Sequence, residues 1–289
     1  MQNNTQGKLY LCATPIGNLE DITLRVLHTL EQVDLIAAED TRNSIKLLNY
    51  YDIKTPMTSY HEYNKVEKAY QLVEKMKMGQ NVALITDAGT PGISDPGEEL
   101  VRICYKSGIE VTSLPGACAC ITALTLSGLP TRRFAFEAFL PSDKKERAYI
   151  LSALESETRT IILYEAPHHL RKTLEELYAA LGDRKLTLCR ELTKLYETIF
   201  PTTISDAISY YEIQEPKGEF VLIIEGKSIQ KLQEEKQQEW MEMPLTEHMA
   251  YYENQGISHK EAMKLVAKDR GISKREVYAM LLEQAKISS

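Results

Sequence analysis

The sequence predicts an α/β fold made of two α/β domains with a cleft between them, followed by a small all-α module. Short apolar runs alternate with amphipathic helical patterns over residues 8–226. Most of these apolar runs end in polar loops rich in glycine and proline. After residue 226 the composition becomes polar and heavily charged. A βαβα order of elements predicts a mostly parallel sheet with helices on both faces.

The first half shows this alternation clearly. Leu24, Leu27 and Leu30 recur at helical spacing, whereas 82–85 is a continuous apolar run of the kind found in buried parallel strands. The predicted strands are 9–13, 35–38, 82–86 and 110–113. The predicted helices are 24–33, 41–50, 64–78, 97–106 and 117–126.

The second half, which follows the turn Gly128-Leu129-Pro130, has more extended segments per helix. We therefore expect a mixed sheet there. Its predicted strands are 134–140, 160–164, 186–190 and 219–225, and its predicted helices begin near 143 and cover 168–181 and 205–211. The predicted domains are 8–116 and 117–226, a charged linker at 227–243 that is helical or flexible, and a helical module at 244–289.

Composition and charge restrict the class of protein. The five cysteines are scattered and form no C-x-x-C pair, which fits a reducing cytoplasm and argues against structural zinc. No segment reaches the ~18 apolar residues of a membrane span, and the polar start of the chain predicts no export signal. We therefore expect a cytoplasmic protein without membrane association. The net charge is −7, but residues 256–289 carry +3, so a nucleic-acid contact is expected in this tail.

The most informative segment is the loop at 87–97, Asp-Ala-Gly-Thr-Pro-Gly-Ile-Ser-Asp-Pro-Gly, which follows a predicted strand. Its glycines permit close backbone approach to a ligand, and Asp87 and Asp95 add acceptors. Open α/β sheets bind small molecules beyond the carboxyl ends of their strands. The alternative is a conformationally demanding surface loop without a ligand.

Five other polar loops lie beside predicted strands: 13–18, 39–42, 115–120, 164–168 and 190–194. Structural explanations exist for two of them, because Asp40 or Thr41 can cap the next helix and the small residues of 115–120 can serve helix–sheet packing. A further loop, 217–219, precedes the last strand. Together the loops predict a ligand cleft between the two domains.

Seven motifs, in this order, resemble the bacterial ribosomal RNA small subunit methyltransferase I family, within the tetrapyrrole-methylase-like class of S-adenosylmethionine enzymes. They are ATPIGNLED, EDTR, TDAGTPGISDPG, LPGACA, YEAPHH, RELTK and KGE. The similarity runs from Leu9 to Gly226, and the basic tail matches the family's C-terminal helical module. Cys118 stands where the family usually has serine, and His169 where it usually has arginine.

The resemblance implies transfer of a methyl group from S-adenosylmethionine to a ribose 2′-hydroxyl of a cytidine in the decoding region of 16S rRNA. The substrate would be the small-subunit rRNA or the assembled small ribosomal subunit, and the enzyme would be a homodimer. Such a displacement needs no metal, and we expect none, since the sequence shows no metal-ligand cluster.

Candidate site residues follow from the loops and the resemblance. The expected cofactor contacts are Pro15, Asp87, Gly89, Ile93, Cys118, Ala119, Leu192 and Gly218. The expected catalytic residues, on the acceptor side of the cleft, are Glu39, Asp40, Arg42, Glu165 and Lys194. Carboxylates can accept a hydroxyl proton, and the cations can hold phosphate or a developing alkoxide.

The tail has the pattern of a helix-turn-helix. Two apolar faces at helical spacing flank Gly271, and Ser273 with Glu276 forms a potential capping box. The expected RNA-phosphate contacts are Lys268, Arg270, Lys274 and Arg275. The alternative for the tail is a packing or dimerisation module.

Two other functions stay open at this point. One is a methyltransferase of the same fold that acts on a tetrapyrrole or another small molecule. The other is a ligand-sensing regulator that binds DNA through the helix-turn-helix.

Overall fold

The computed structural model describes residues 6–287, with side chains described as far as residue 283. The strands are β1 (Lys8–Cys12), β2 (Leu35–Ala38), β3 (Met57–Ser59), β4 (Val82–Ile85), β5 (Glu110–Leu114), β6 (Phe134–Phe139), β7 (Thr160–Glu165), β8 (Lys185–Arg190), β9 (Thr198–Thr203) and β10 (Phe220–Ile224). The helices are α1 (Leu24–Gln32), α2 (Thr41–Tyr50), α3 (Lys65–Lys77), α4 (Glu98–Lys106), α5 (Ala119–Leu126), α6 (Lys144–Glu155), α7 (Leu170–Leu181), α8 (Ile204–Ile213), α9 (Ile229–Glu242), α10 (Leu245–Glu253), α11 (His259–Asp269) and α12 (Lys274–Ile287).

The first sheet is entirely parallel, in the order β3-β2-β4-β1-β5. Its central strand β4 is buried along its whole length, which explains its unbroken apolar sequence. Two clusters of buried side chains sandwich this sheet, one built on Leu72 and Leu100 and the other on Val26 and Leu30. The predicted parallel sheet is confirmed.

The second sheet is mixed, as expected, in the order β6-β7-β10-β8-β9. Strands β6 and β7 are parallel, whereas β10 is antiparallel to both β7 and β8. The carboxyl ends of β6, β7 and β8 therefore share one edge of the sheet with the beginning of β10. Helix α5 packs on this sheet, with Cys120 and Leu124 buried against Ile162 and Ile223. The predicted boundary between residues 116 and 117 falls between β5 and α5.

Two strands escape sequence-based prediction. Strand β3 has only three residues and no alternating pattern. Strand β9 contains Pro201, which lacks a backbone donor and is restricted to sheet edges, and β9 is an edge strand paired only with β8.

The chain divides into two compact units, one with both sheets and a second with Glu155–Thr158 and the helices beyond Gly226. The second unit has its own core, formed by residues such as Leu245, Val266 and Val277. The predicted linker forms helix α9, whose Trp240 ring stacks on the His248 ring at 4.1 Å. Helices α11 and α12 form the predicted helix-turn-helix.

The turn between α11 and α12 uses the predicted capping box. The Glu276 amide donates to Ser273 Oγ at 3.2 Å, and the Ser273 amide donates to Glu276 Oε2 at 2.7 Å. Gly271 has a φ of 65°, a conformation that favours glycine. Within residues 6–287, no helix is long and apolar enough to cross a membrane.

We predict that Arg270→Ala destabilises the second unit. Arg270 is only 3% exposed; its Nε donates to His248 Nδ1 at 3.1 Å and its NH2 group donates to the Met243 carbonyl. Loss of these bonds should lower the free energy of unfolding by about 2 kcal/mol. Urea unfolding followed by fluorescence of Trp240, the single tryptophan, measures this change. The exposed Arg275→Ala variant should unfold like the parent, and equal stability of both variants would contradict the assignment.

Candidate functional site

A cavity of about 280 Å³ lies between the two α/β domains of the first unit. Loops at the carboxyl ends of β1, β4 and β5 form one wall, and the ends of β6, β7 and β8 with the start of β10 form the other. Its lining is mostly apolar and includes Ile16, Ala119, Leu192 and Val221. An apolar cleft with a few polar groups is the usual form of a small-molecule site.

The first wall depends on Gly89. Its amide donates to the Thr14 carbonyl at 3.1 Å, and the Thr14 amide donates to the Gly89 carbonyl at 2.9 Å. This bridge fixes the loop after β4 against the loop after β1. Gly89 has a φ of 84°, and a Cβ there would lie 3.3 Å from Ile16 Cγ2. The backbone conformation at this position therefore favours glycine, and a Cβ would press tightly on the Ile16 side chain.

The second wall carries a buried carboxylate. Glu165, at the end of β7, is 4% exposed and lines the cavity. Its Oε2 accepts a bond from Thr173 Oγ1 at 2.5 Å, and its Oε1 accepts from the Ala166 amide at 2.8 Å. Arg147 donates to Thr173 Oγ1 at 2.7 Å and pairs with Glu176 at 2.6 Å. This network fixes the orientation of the Glu165 carboxylate.

Lys194 lies on the same side of the cavity, between two carboxylates. Its Nζ is 3.0 Å from Glu191 Oε1 and 2.8 Å from Glu219 Oε2. Burial opposes the charged ammonium, but hydrogen bonds to Glu219 and Glu191 outweigh this effect and raise the pKa of Lys194. Lys194 therefore presents a fixed positive charge to the cavity.

The loop that carries Lys194 is strained and touches the first domain. Glu191 and Thr193 have φ values of 53° and 66°, which are unfavourable for residues with a side chain. Thr193 Oγ1 accepts a bond from the Asn18 amide at 3.0 Å. A Cβ on Gly17 would lie 2.5 Å from Lys194 Cγ, so glycine permits this close approach. Backbone strain of this kind often accompanies functional loops.

A second cavity, polar and of about 580 Å³, adjoins the 87–97 loop. Asp95 and Ser94 line both cavities, and Glu39 lines the polar one. Burial raises the pKa of Asp95 to about 7, and the charges of Glu39 and Asp87 act in the same direction. Burial also raises the pKa of Glu39. Asp95 is therefore able to exchange a proton near neutral pH.

The structure brings part of the expected set together. The expected residues that line the apolar cavity are Gly89, Ile93, Cys118, Ala119, Leu192, Glu165 and Lys194. The expected residues outside its lining are Pro15, Asp87, Gly218, Glu39, Asp40 and Arg42. The Gly218 position instead accommodates a neighbouring side chain, because a Cβ there would lie 2.4 Å from Glu191 Cγ.

The side chains of Asp40 and Arg42 form an ion pair with each other. Asp40 is the N-cap of α2 and accepts the Arg42 amide at 2.8 Å, while the Arg42 guanidinium pairs with its carboxylate at 2.7 Å. The hydrogen bonds from Arg42 lower the pKa of Asp40 to about 2. The capping interpretation of Asp40 is therefore confirmed.

Sequence reasoning did not assign several lining residues. The sequence indicates that Asp95 is an acceptor on its loop but predicts no role for it. Phe139 and Tyr164 form an aromatic wall, with ring centroids 5.6 Å apart. Phe139 and Tyr164 lie at the ends of β6 and β7, but only the strand order shows that these two strand ends are adjacent. Glu219 lies in the motif KGE and was likewise not assigned.

The four expected RNA contacts of the tail differ in their exposure to solvent. Lys268 and Arg275 are exposed, Lys274 is half-buried, and Arg270 is buried. The expectation that Arg270 binds a phosphate is wrong, because its guanidinium is buried and donates hydrogen bonds to His248 and to the Met243 carbonyl. A basic cluster around a turn can thus include a cation that stabilises the fold. His169, at the N-cap of α7, is exposed beside His168.

Comparison with known proteins identifies the family. The model of the Tetrapyrrole (Corrin/Porphyrin) Methylases matches residues 8–208. The chain is 46% identical to ribosomal RNA small subunit methyltransferase I of Halalkalibacterium halodurans, over 96% of this chain and 95% of that protein. It is 47% identical to the protein of the same name from Bacillus subtilis, over 94% and 93% of the two chains. The Escherichia coli O157:H7 protein of this name is 45% identical over 98% and 97%.

Solved structures agree on the fold. A diphthine synthase superposes with a TM-score of 0.61 at 14% identity, covering 76% of this chain and 90% of that one. A uroporphyrin-III-C-methyltransferase from Thermus thermophilus gives a TM-score of 0.54 at 21% identity, covering 75% and 94%. The predicted α/β architecture with its C-terminal helices is confirmed. By its family match and its near full-length similarity to these relatives, the chain belongs to the ribosomal RNA small subunit methyltransferase I family, S-adenosylmethionine-dependent enzymes of the tetrapyrrole methylase fold.

Proposed function

We propose that this protein transfers a methyl group from S-adenosylmethionine to the 2′-hydroxyl of a cytidine ribose in the decoding region of small-subunit rRNA. The observation that carries the proposal is the cavity of about 280 Å³ where the motif-bearing loops of both domains meet. It combines an apolar part with a carboxylate and a lysine at one side, Glu165 and Lys194. The near full-length relatives are named for this RNA substrate.

The residues of the cavity fit S-adenosylmethionine. The glycine at position 89 leaves the backbone open to a flat group, and the apolar side chains Ile93, Ala119 and Leu192 suit an adenosine. The Asp95 carboxyl also lines the cavity and, when ionised, complements a cation. When bound, this cofactor supplies a methyl group on a positively charged sulfonium.

The chain's own residues then position the ribose. Glu165 is oriented by Thr173 and the Ala166 amide, so its carboxylate can accept a hydrogen bond or the proton from a sugar hydroxyl. Lys194 is held by Glu191 and Glu219 and can bind a phosphate or stabilise an alkoxide. Positioning supplies much of the rate in a direct displacement.

Glu39, Asp40 and Arg42 have a different place in the proposal. They follow β2, outside the lining of the apolar cavity, and Glu39 borders the polar cavity. We assign them to the outer part of the acceptor side, where Arg42 is exposed and able to meet RNA. The exposed Lys268 and Arg275 and the half-buried Lys274 are proposed to bind phosphates.

The assembly and location belong to the same proposal. A homodimer in the cytoplasm follows from the resemblance, and the substrate is the small-subunit rRNA or the assembled small subunit. The alternative, a small-molecule methyltransferase, is supported only by the common fold, because the solved tetrapyrrole and diphthine enzymes are 21% and 14% identical to this chain. The DNA-binding regulator has no support from the relatives' names.

The decisive experiment is methyl transfer. With labelled S-adenosylmethionine and small ribosomal subunits from cells lacking this activity, we expect label in RNA, at a ribose. Since 2′-O-methylation blocks alkaline cleavage at the adjacent phosphate, the label should appear in an alkali-resistant dinucleotide containing cytidine. Naked rRNA is tested in parallel. Label on a base, or transfer only to a tetrapyrrole acceptor, would refute the proposed substrate.

The control for this assay is a matched pair of variants. Glu165→Gln should lower turnover by about 100-fold or more, the usual loss for a general base, while the cofactor Kd changes little. Glu175→Gln removes an exposed carboxylate on α7, outside the hydrogen-bond network of Glu165 and outside the cavity lining, so it should retain most activity. Equal turnover in the two variants would remove Glu165 from the acceptor site.

Gly89→Val should weaken cofactor binding. The new side chain meets Ile16 and the Ala117 carbonyl at the cavity wall, and we expect the Kd to rise about tenfold or more, measured by calorimetry. The control is Gly108→Val, since Gly108 also has a positive φ, 73°, but a Cβ there meets nothing within 4 Å. If both variants bind the cofactor as the parent does, Gly89 is not at the cofactor site.

Removal of the tail's surface charges should weaken RNA binding. In the triple variant Lys268→Ala/Lys274→Ala/Arg275→Ala, we expect lower affinity and a salt dependence whose logarithmic slope is shallower by about 2, as fewer counterions are released. Cofactor affinity should be unchanged. Lys75→Ala/Lys231→Ala/Lys236→Ala, which removes three exposed lysines outside the tail, is the matched control for loss of charge. An unaltered RNA affinity in the triple variant would assign the tail to packing or dimerisation.

A further inference from the structure

Two cysteines meet at the wall of the cofactor cavity. Cys118 is the N-cap of α5 and lines the cavity, and Cys120 lies in the first turn of the same helix. Their Sγ atoms are 3.4 Å apart. Cys118 is half-buried and borders the cavity, whereas Cys120 is only 4% exposed. The remaining cysteines, Cys12, Cys104 and Cys189, are buried.

The two sulfur atoms have different electrostatic surroundings. The two sulfur atoms share a hydrogen bond, and together with the Cys120 and Ile121 amides at the start of α5 it lowers the pKa of Cys118 although burial opposes this. The hydrogen bond to Cys118 and burial raise the pKa of Cys120. Cys118, the accessible sulfur, is therefore the more readily ionised of the two, and the buried Cys120 thiol lies beside it. A reactive thiolate beside a second cysteine is the arrangement found in redox-sensitive sites.

We propose that Cys118 and Cys120 form a reversible thiol–disulfide site in the cofactor cavity, oxidised by hydroperoxides and reduced by dithiols. In the oxidised state the site excludes S-adenosylmethionine. The chemistry at these two residues is separate from methyl transfer and does not depend on the identity of the methyl acceptor.

The oxidation proceeds in two balanced steps. The Cys118 thiolate attacks an oxygen of hydrogen peroxide; an S–O bond forms, the O–O bond breaks, and hydroxide leaves, giving a sulfenic acid at Cys118. The Cys120 sulfur then attacks Cys118 Sγ; the S–S bond forms, the S–O bond breaks, and the hydroxide leaves as water with the Cys120 proton. A dithiol reverses the reaction by thiol–disulfide exchange and is itself oxidised to a disulfide.

The disulfide changes the wall that contacts the cofactor. The sulfur atoms must move from 3.4 Å to about 2 Å apart, which rotates the Cys118 side chain and shifts the first turn of α5. Cys118 and Ala119, at this turn, both line the cavity. Because coupling between two sites is reciprocal, a bound cofactor should also protect Cys118 from oxidation.

The test uses the full-length protein with and without hydrogen peroxide in small excess. We expect the peptide that contains both cysteines to lose two hydrogen atoms in mass spectrometry and to regain them with dithiothreitol. Calorimetry should show that oxidation weakens cofactor binding at least tenfold and that dithiothreitol restores it. Saturating cofactor should slow the oxidation.

Three variants separate the roles of the thiols. In Cys120→Ala, peroxide should add oxygen atoms to Cys118 that dithiothreitol does not remove once the sulfinic acid has formed. In Cys118→Ser, the Cys120 peptide should remain unmodified under the same conditions. Cys104→Ala, which removes a buried cysteine far from the cavity lining, should behave like the parent.

The proposal fails on any of three results in the folded protein. The first is that no disulfide forms between the two residues. The second is that Cys118 oxidises no faster than Cys104. The third is that the disulfide forms but cofactor affinity is unchanged. None of these outcomes bears on methyl transfer by the reduced enzyme, which the ribosomal assay tests separately.

Discussion

The cavity exists because two loops from different domains approach within hydrogen-bond distance. The Asn18 amide, after β1, donates to Thr193 Oγ1, after β8. Gly17 makes the approach possible, since a Cβ would collide with Lys194 Cγ and Thr193 Oγ1 at 2.5 and 2.7 Å. The second loop holds its shape at the cost of left-handed conformations at Glu191 and Thr193. This cost is offset by hydrogen bonds that the Glu191 carboxylate accepts from the Glu219 amide and from Lys194 Nζ. This contact joins the carboxyl edges of two sheets and thereby defines the space between them.

The same contact explains the balance of polar and apolar groups in the cavity. A buried carboxylate is costly unless hydrogen bonds satisfy it, and Glu165 meets this condition through Thr173 and the Ala166 amide. At Asp95 no such hydrogen bonds from the described part of the chain offset the cost of burial, and burial raises its pKa to about 7. The two acids thus differ in hydrogen bonding although both border one cavity. A site with a hydrogen-bonded carboxyl at Glu165, a titrating acid at Asp95 and a fixed cation at Lys194 has the groups that proton removal and charge stabilisation require.

The second unit uses positive charge in two ways. Arg270 is buried and bonded to His248 and to the Met243 carbonyl, so it connects the end of α11 to α10 and to the end of α9. Gln237 of α9 completes the junction, because its Nε2 donates to the Arg270 carbonyl at 2.9 Å. Lys268 and Arg275, within a few positions along the chain, are exposed and free to meet an anionic partner. The net charge of the tail therefore overstates the number of cations at its surface.

The sequence by itself determined the fold class, the mostly parallel first sheet, the mixed second sheet and the capping box of Ser273 and Glu276, because periodicity and capping are local properties of the chain. Its motifs also determined the family. Only the tertiary structure decided that Arg270 is internal, that Asp40 and Arg42 pair with each other, and that Asp95, Phe139 and Glu219 reach the cavity. It also placed β9 at an edge and brought the Cys118 and Cys120 sulfur atoms together. Strand order and the cavity lining depend on packing between segments far apart in sequence, which no local pattern encodes. The Asp40–Arg42 and Cys118–Cys120 pairs are each two residues apart, and they depend on backbone and side-chain geometry at the start of a helix.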